Sequence, residues 1–167
     1  MSVAAAWAAA GIGDIIGTVS YRLQPGSADR PAIDATGKIY FGTRSASKGL
    51  GTGENSYAAQ FDLYQQMGAA TLHGSGGYLI TGDPPGTNYR DVFYGTLGIG
   101  SPVKGNTLGI ALDAQQAYLM GGSAYATLTG YFITRPEMTT KLTAYLLFGL
   151  SDGAPGWGVG LLYGWHY

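Results

Sequence analysis

The sequence predicts an all-β fold, an antiparallel transmembrane β-barrel, and three observations carry that expectation. The last segment, residues 156–167, puts a large apolar side chain at every second position: Trp157, Val159, Leu161, Tyr163, Trp165 and Tyr167. Gly, Leu or His fills the positions between. A strand turns successive side chains to opposite faces, so one face is an aromatic-aliphatic stripe and the other is nearly bare. At ~3.3 Å per residue and a tilt near ~40°, the run climbs roughly 25 Å, the height of the apolar band in an outer-membrane barrel. The second observation is charge. Charged residues make up 11% of 167, where an average soluble domain has about 25%. No run of ~18 apolar residues offers a membrane-spanning helix. The third is the content of 29 glycines and 13 tyrosines, which suits strands with a thin inner face and aromatic rims.

Turn-forming residues divide the rest of the chain into eight further segments of strand length, most of them alternating. The first puts Ile15, Gly17, Val19, Tyr21 and Leu23 opposite Asp14, Ile16, Thr18, Ser20 and Arg22. The second puts Ile33, Ala35, Gly37, Ile39 and Phe41 opposite Ala32, Asp34, Thr36, Lys38 and Tyr40. The third sets Tyr57, Ala59, Phe61 and Leu63 against Ala58, Gln60, Asp62 and Tyr64. The fourth, residues 70–81, is weaker, with Leu72, Tyr78 and Ile80 against Thr71, His73, Ser75 and Thr81. The fifth, residues 91–100, has Phe93, Leu97 and Ile99 on one side. The sixth sets Leu108, Ile110, Leu112 and Ala114 against Gly109, Ala111, Asp113 and Gln115. The seventh sets Ala124, Ala126, Leu128 and Phe132 against Tyr125, Thr127, Thr129 and Tyr131. The eighth sets Leu142, Ala144, Leu146, Phe148 and Leu150 against Lys141, Thr143, Tyr145 and Leu147.

Asp34, Lys38, Asp62 and Asp113 all fall opposite the apolar stripe. That is the distribution of a wet interior and a lipid-facing exterior, since Lys or Arg at mid-bilayer costs about 2–4 kcal/mol. A soluble β-sandwich would bury the same apolar faces. Its outer faces would then carry fewer charges than the ~25–35% that a soluble surface of this size wants. The expected interior is lined by Asp34, Lys38, Asp62, Tyr64, His73, Asp113, Tyr125 and Lys141. The expected girdle is Trp157, Tyr163, Trp165 and Tyr167. With the last strand ending in the periplasm, connectors 43–55, 81–90 and 151–155 face outward. Turns 24–30, 67–69, 101–106 and 135–140 then face the periplasm. Bacterial single-chain barrels carry even strand numbers, and nine segments are odd. Either the segmentation is off by one, or the barrel is odd, or upstream strands are missing; the last is favoured, giving as the expectation a single barrel domain over residues 1–167 that lacks upstream strand(s) and a signal peptide, and belongs to a larger even-stranded barrel. The small apolar run Ser2–Ala10 has no basic leader before it.

With no cysteine, disulfides and thiolate metal sites are excluded. A net charge of −1 and scattered basic residues argue against nucleic acid as a partner. His73, Ser75 and Asp62 are residue types of a nucleophile, base and acid, but ordinary inward-facing polar residues explain them as well. Two distant histidines, His73 and His166, make no metal site. The run Gly49-Leu50-Gly51-Thr52-Gly53 lacks the Lys-Ser/Thr and strand-to-helix setting of a phosphate loop. No catalytic residue, metal or cofactor is expected.

Residues 13–100 resemble the meta-pathway phenol-degradation family of outer-membrane proteins. The likeness lies in Gly13-Asp14-Ile15 followed by Ser20-Tyr21-Arg22-Leu23, in Pro31-Ala32-Ile33, in Thr36-Gly37-Lys38, and in the loop Lys48-Gly49-Leu50-Gly51-Thr52-Gly53. Tyr40-Phe41-Gly42-Thr43 departs from the family's Pro-Thr-Gly-like turn. The resemblance implies a larger barrel of the order of ~12 strands in the bacterial outer membrane. It also implies passive uptake of small hydrophobic or aromatic solutes. The alternative is a non-transporting structural or surface-recognition barrel. The partners expected are membrane lipid, a small apolar solute, and the barrel-assembly machinery acting on the C-terminal strand. Oligomeric state is left open.

Overall fold

The computed structural model describes residues 15–43, 53–84, 86 and 88–165. Within them every regular element is a strand: β1 (Ile15–Gln24), β2 (Ala32–Phe41), β3 (Ser56–Met67), β4 (Ala70–Ile80), β5 (Val92–Val103), β6 (Asn106–Gln115), β7 (Tyr125–Thr134), β8 (Thr140–Gly149) and β9 (Trp157–Trp165). The nine strands form one antiparallel sheet in chain order, β1 to β9, with no crossover. The alternation in the sequence is the cause. Each segment has one apolar and one polar face, and adjacent segments share a sheet only if like faces align. The sheet is open, with β1 and β9 as its edges. Among the described residues these two strands do not touch, so the expected barrel does not close through these nine strands alone. Asp14, His166, the girdle residue Tyr167, the Ser2–Ala10 run and all of the glycine-rich loop except Gly53 lie outside the described residues.

The register slants steadily across the sheet. Arg22, Asp34, Asp62, Ser75, Thr96, Asp113, Thr127 and Gly149 face one another in succession from β1 to β8. The line enters two residues above the lower end of β1 and leaves at the upper end of β8. It climbs by about one residue per strand, which at ~3.3 Å per residue and ~4.8 Å between strands is a tilt of roughly 35°. Leu23 is the extra residue of a bulge between Arg22 and Gln24, a device that adds twist at an edge.

Connectors differ between the two rims. On the lower rim, β3 and β4 join through Gly68-Ala69, and β5 and β6 through Lys104-Gly105. Gly68 has φ +61°, Lys104 +48° and Gly105 +80°. Two successive positive values make Lys104-Gly105 a type I′ turn, whose twist matches that of the flanking strands. The sequence expectation of a turn over 101–106 is thereby narrowed. Ser101, Pro102 and Val103 remain in β5, opposite Leu108, Thr107 and Asn106. On the upper rim the connectors are residues 42–55, 81–91, 116–124 and 150–156. Two of them latch together: Tyr89 bridges Leu119, and Arg90 N–H donates to the Tyr118 carbonyl at 2.6 Å.

The two faces are unequal. Apart from Thr140 beside a turn, the buried strand side chains (Ala32, Thr36, Ala58, Leu79, Val92, Ala111 and Thr127) all lie on the polar face. A flat sheet with nothing packed on it would leave both faces equally open, so this sheet curls toward its polar side. The opposite face stays uncovered and apolar on all nine strands, from Val19 at 78% exposure to Leu161 at 73%. Phe41, Tyr57, Tyr78, Phe93, Phe148 and Trp157 lie on it near the upper strand ends. Tyr21, Phe132, Tyr163 and Trp165 lie on it near the lower ends.

Candidate functional site

The concave polar face is the candidate site. All eight residues expected to line an interior, Asp34, Lys38, Asp62, Tyr64, His73, Asp113, Tyr125 and Lys141, have the strand parity of this face. Trp157, Tyr163 and Trp165 have the opposite parity and are exposed.

The first cluster crosses β1, β2, β3 and β5. Arg22 forms an ion pair with Asp34, and its Nη2 donates to Oδ2 at 3.1 Å. The Thr36 hydroxyl donates to Asp62 Oδ2 at 2.8 Å. Its single proton is then used, so the Ser20 hydroxyl, 2.9 Å away, donates to Thr36. Gln60 donates its amide N–H to the other oxygen of Asp62. The Gln60 carbonyl in turn accepts from Lys38 Nζ at 2.7 Å and from the Tyr94 hydroxyl at 2.8 Å. Lys38 Nζ also sits 5.6 Å from the centre of the Tyr94 ring, within cation–π range. The directly opposed carboxylates Asp34 and Asp62 are thus served by different partners. Arg22 neutralises one, and two neutral donors, Thr36 and Gln60, serve the other, with Lys38 held behind Gln60.

A second cluster centres on Asp113 in β6. Its two oxygens accept from Thr96 of β5 at 2.7 Å and Thr129 of β7 at 3.2 Å. One carboxylate therefore fastens three strands.

The third feature is a reach across the sheet. His73 Nε2 of β4 lies 3.0 Å from the Tyr131 hydroxyl of β7, with two strands between. The rings lie down over glycine backbone. A Cβ on Gly98 would meet the His73 imidazole, and one on Gly109 or Gly100 would meet the Tyr131 ring or hydroxyl. Tyr94 lies in the same way against Gly77, and Tyr145 against Gly160. Bare backbone lets large rings come close against the wall, a packing that also supports glycine in strands.

His73, Ser75 and Asp62 share the face but form no triad. His73 bonds to Tyr131, Asp62 to Thr36 and Gln60, and no hydrogen bond joins the three. Among the described residues no three His, Asp or Glu side chains come close enough to hold a metal. Among the described residues no buried side-chain nitrogen or oxygen lacks a partner. The structure adds Thr96 to the residues named from sequence as well as the hydroxyl bonds of Ser20, Thr36 and Thr129. Parity alone puts Thr96 inward, directly opposite Asp113.

The second notable concavity, about 680 Å³, lies mainly on the apolar face. It runs over Gly130 and Ala144 between Ile110, Phe132 and Leu146. It carries no charged group. No known family model matches this chain, and no curated protein is similar to it. The phenol-degradation resemblance rests on the quoted segments alone.

Proposed function

We propose that this chain forms the wall of a bacterial outer-membrane β-barrel that admits small hydrophobic or aromatic solutes by passive diffusion. One observation carries the reading. On nine consecutive strands, tilted by roughly 35°, one face exposes aliphatic and aromatic side chains while the other binds Arg22, Asp34, Lys38, Asp62 and Asp113 into hydrogen-bonded clusters. Such a sheet in water would present an apolar surface far larger than a soluble monomer tolerates. In a bilayer the same face meets hydrocarbon, and the aromatic residues near both strand ends meet the head groups. Short turns on one rim and longer loops on the other also suit that setting. Acids and bases are mixed on the inner face, so it carries no ring of one sign to select ions. The tyrosine rings packed against glycine offer aromatic surface along this face for an apolar solute.

A second reading has its own observation. His73–Tyr131 and Gln60–Tyr94 tie strands that are not neighbours, as in a filled, non-conducting barrel. Swelling of liposomes carrying the full natural protein, with phenol-sized solutes and with sugars, decides between them. Flux that favours aromatic solutes is the result expected of a pore. A correctly inserted protein without flux of any solute overturns the transport reading and leaves the filled barrel.

A further inference from the structure

We propose that a half-open pocket on the upper rim, between the 116–124 and 150–156 connectors, binds a neutral, hydroxyl-rich ligand of one ring, a hexopyranose unit. The inference goes beyond the reading above. The pocket lies apart from the hydrogen-bonded clusters of the polar face and is the same in a conducting wall and a filled one.

The pocket follows from how the chain turns there. β6 ends at Gln115 and β7 begins at Tyr125, and these two residues oppose each other on the polar face. The connector between them is fastened on both sides. Toward β5, the Gln116 N–H donates to the Phe93 carbonyl at 3.0 Å, and Gln116 Oε1 accepts from the Phe93 N–H at 3.0 Å. Within the connector, the Gly122 N–H donates to the Leu119 carbonyl at 3.1 Å, around Gly121 at φ +78°. Toward the next connector, the Ser151 hydroxyl donates to the Ala124 carbonyl at 2.7 Å and accepts from the Ala126 N–H at 2.9 Å. A Cβ on Gly153 would come within 2.6 Å of the Ser123 carbonyl oxygen, so the two connectors meet backbone to backbone. Walls fastened in this way leave a preformed hollow of about 270 Å³.

The lining selects the ligand. No Asp, Glu, Lys, Arg or His side chain borders the hollow, so nothing there balances the charge of an anion or a cation taken out of water. Polar side chains make up most of it: Gln115, Gln116, Tyr118, Ser123 and Tyr125. Among the described residues, the Gln115 amide, the Gln116 amide nitrogen and the hydroxyls of Tyr118 and Ser123 have no hydrogen-bond partner. The Tyr125 hydroxyl accepts from Thr127 at 3.5 Å and keeps its own proton to give. A hydrocarbon ring would cover these groups without bonding them, which is unfavourable. A ligand bearing several hydroxyls satisfies them, because amides and hydroxyls both give and accept hydrogen bonds. Tyr118 and Tyr125 add aromatic surface, whose electron-rich face suits the C–H bonds of a pyranose. The volume is just under the ~300 Å³ at which sites for drug-sized ligands begin, room for one ring rather than a chain.

The test uses the full natural protein in phosphatidylcholine vesicles free of glycoside detergent. Methyl α-glucopyranoside, methyl β-galactopyranoside and N-acetylglucosamine are titrated in, and binding is read by saturation-transfer NMR. The expected result is saturable binding of at least one of the three with a Kd of the order of ~1 mM. Tyr118→Ala and Gln115→Ala should each weaken it about tenfold or more. Met138→Ala, fully exposed on the lower rim, should leave it unchanged, and Tyr118→Phe, which keeps the ring, should bind more tightly than Tyr118→Ala. Neither phenol nor inorganic phosphate should displace the sugar. Absence of saturable binding for all three sugars overturns the proposal. Binding indifferent to both alanine variants overturns it too, as does displacement by phenol or phosphate. Amide exchange at β6 and β7 verifies that the variants fold. Should either lose protection, Ser123→Ala takes its place, since the Ser123 hydroxyl bonds to nothing in the wall, and unaltered sugar binding by that variant is equally fatal.

Discussion

His73 and Tyr131 touch, imidazole nitrogen to phenol oxygen at 3.0 Å, although two whole strands separate them. The contact exists because Gly98, Gly100 and Gly109 leave the intervening backbone bare. A side chain there would lift one ring or the other off the wall. The glycines of this face therefore act as seats for aromatic rings, and their replacement should be felt in proportion to what lies on them.

Gly109→Ala should destabilise the protein by about 1–3 kcal/mol, the range for overpacking a filled site. Its new methyl group meets both the Tyr131 ring and the Ile99 carbonyl oxygen, and a carbonyl cannot swing away. Gly76→Ala is the matched control on the apolar face, where nothing lies within 4 Å. It should be neutral or stabilising by about 0.5–1 kcal/mol, since Gly in a strand is entropically expensive. Urea unfolding in detergent micelles or lipid vesicles measures both.

Leu97 stands near the middle of β5 on the apolar face. Leu97→Arg should cost about 2–4 kcal/mol of folding free energy in lipid vesicles, the midplane penalty for a cation facing lipid. Ser75→Arg, on the polar face opposite Asp62, should cost much less. If the two substitutions prove equally harmless in vesicles, the assignment of faces to lipid and water is wrong.

Asp113 joins β5, β6 and β7 through Thr96 and Thr129. Asp113→Ala leaves two hydroxyls without their acceptor and should lose about 1–3 kcal/mol. Asp113→Asn retains one accepting oxygen and should recover part of that. The double variant Thr96→Val with Thr129→Val, combined with Asp113→Ala in a mutant cycle, should show strong non-additivity, because the three groups act as a unit.

Lys104 occupies a left-handed conformation at φ +48°. Lys104→Asn creates the Asn-Gly pair that type I′ turns prefer, and unfolding should show a gain of up to about 1 kcal/mol. Gly105→Ala, at φ +80°, should lose about as much.

Tyr94→Ala and Tyr131→Ala remove rings packed against glycines of the polar face. In liposome swelling the double variant should pass solutes several-fold faster than the natural protein and discriminate less between aromatic and sugar probes. A pore with unchanged rate and unchanged preference would show that these rings do not line its path.

Alternation made most of the fold legible. The faces of β1, β2, β3, β6 and β8 follow from period two alone, since an apolar-polar repeat leaves a strand only one orientation in a shared sheet. The end of β5 was harder to read. Pro102 looks like a breaker, yet it stays in the strand because its missing N–H costs nothing where no ladder bond is required of it. The turn itself is carried by Lys104-Gly105. Parity also puts Lys38, Asp62 and His73 together on one face of the sheet. It could not say how far they reach. Whether His73 meets Ser75 beside it or Tyr131 three strands on depends on side-chain rotation and on register, and the glycines that permit the longer reach are distant in sequence. The slant of the register was equally hidden, because it accumulates from turn geometry rather than from any one segment.

The meander has a consequence for how such a wall changes over generations. Each of the nine described strands pairs only with its neighbours in the chain, so building this sheet needs no long loop closure and can proceed hairpin by hairpin. Duplicating or deleting one complete up-and-down pair preserves every remaining partnership and the alternation of direction. The width of the sheet is thus a quantity that evolution can adjust in steps of two staves, without inventing a new topology.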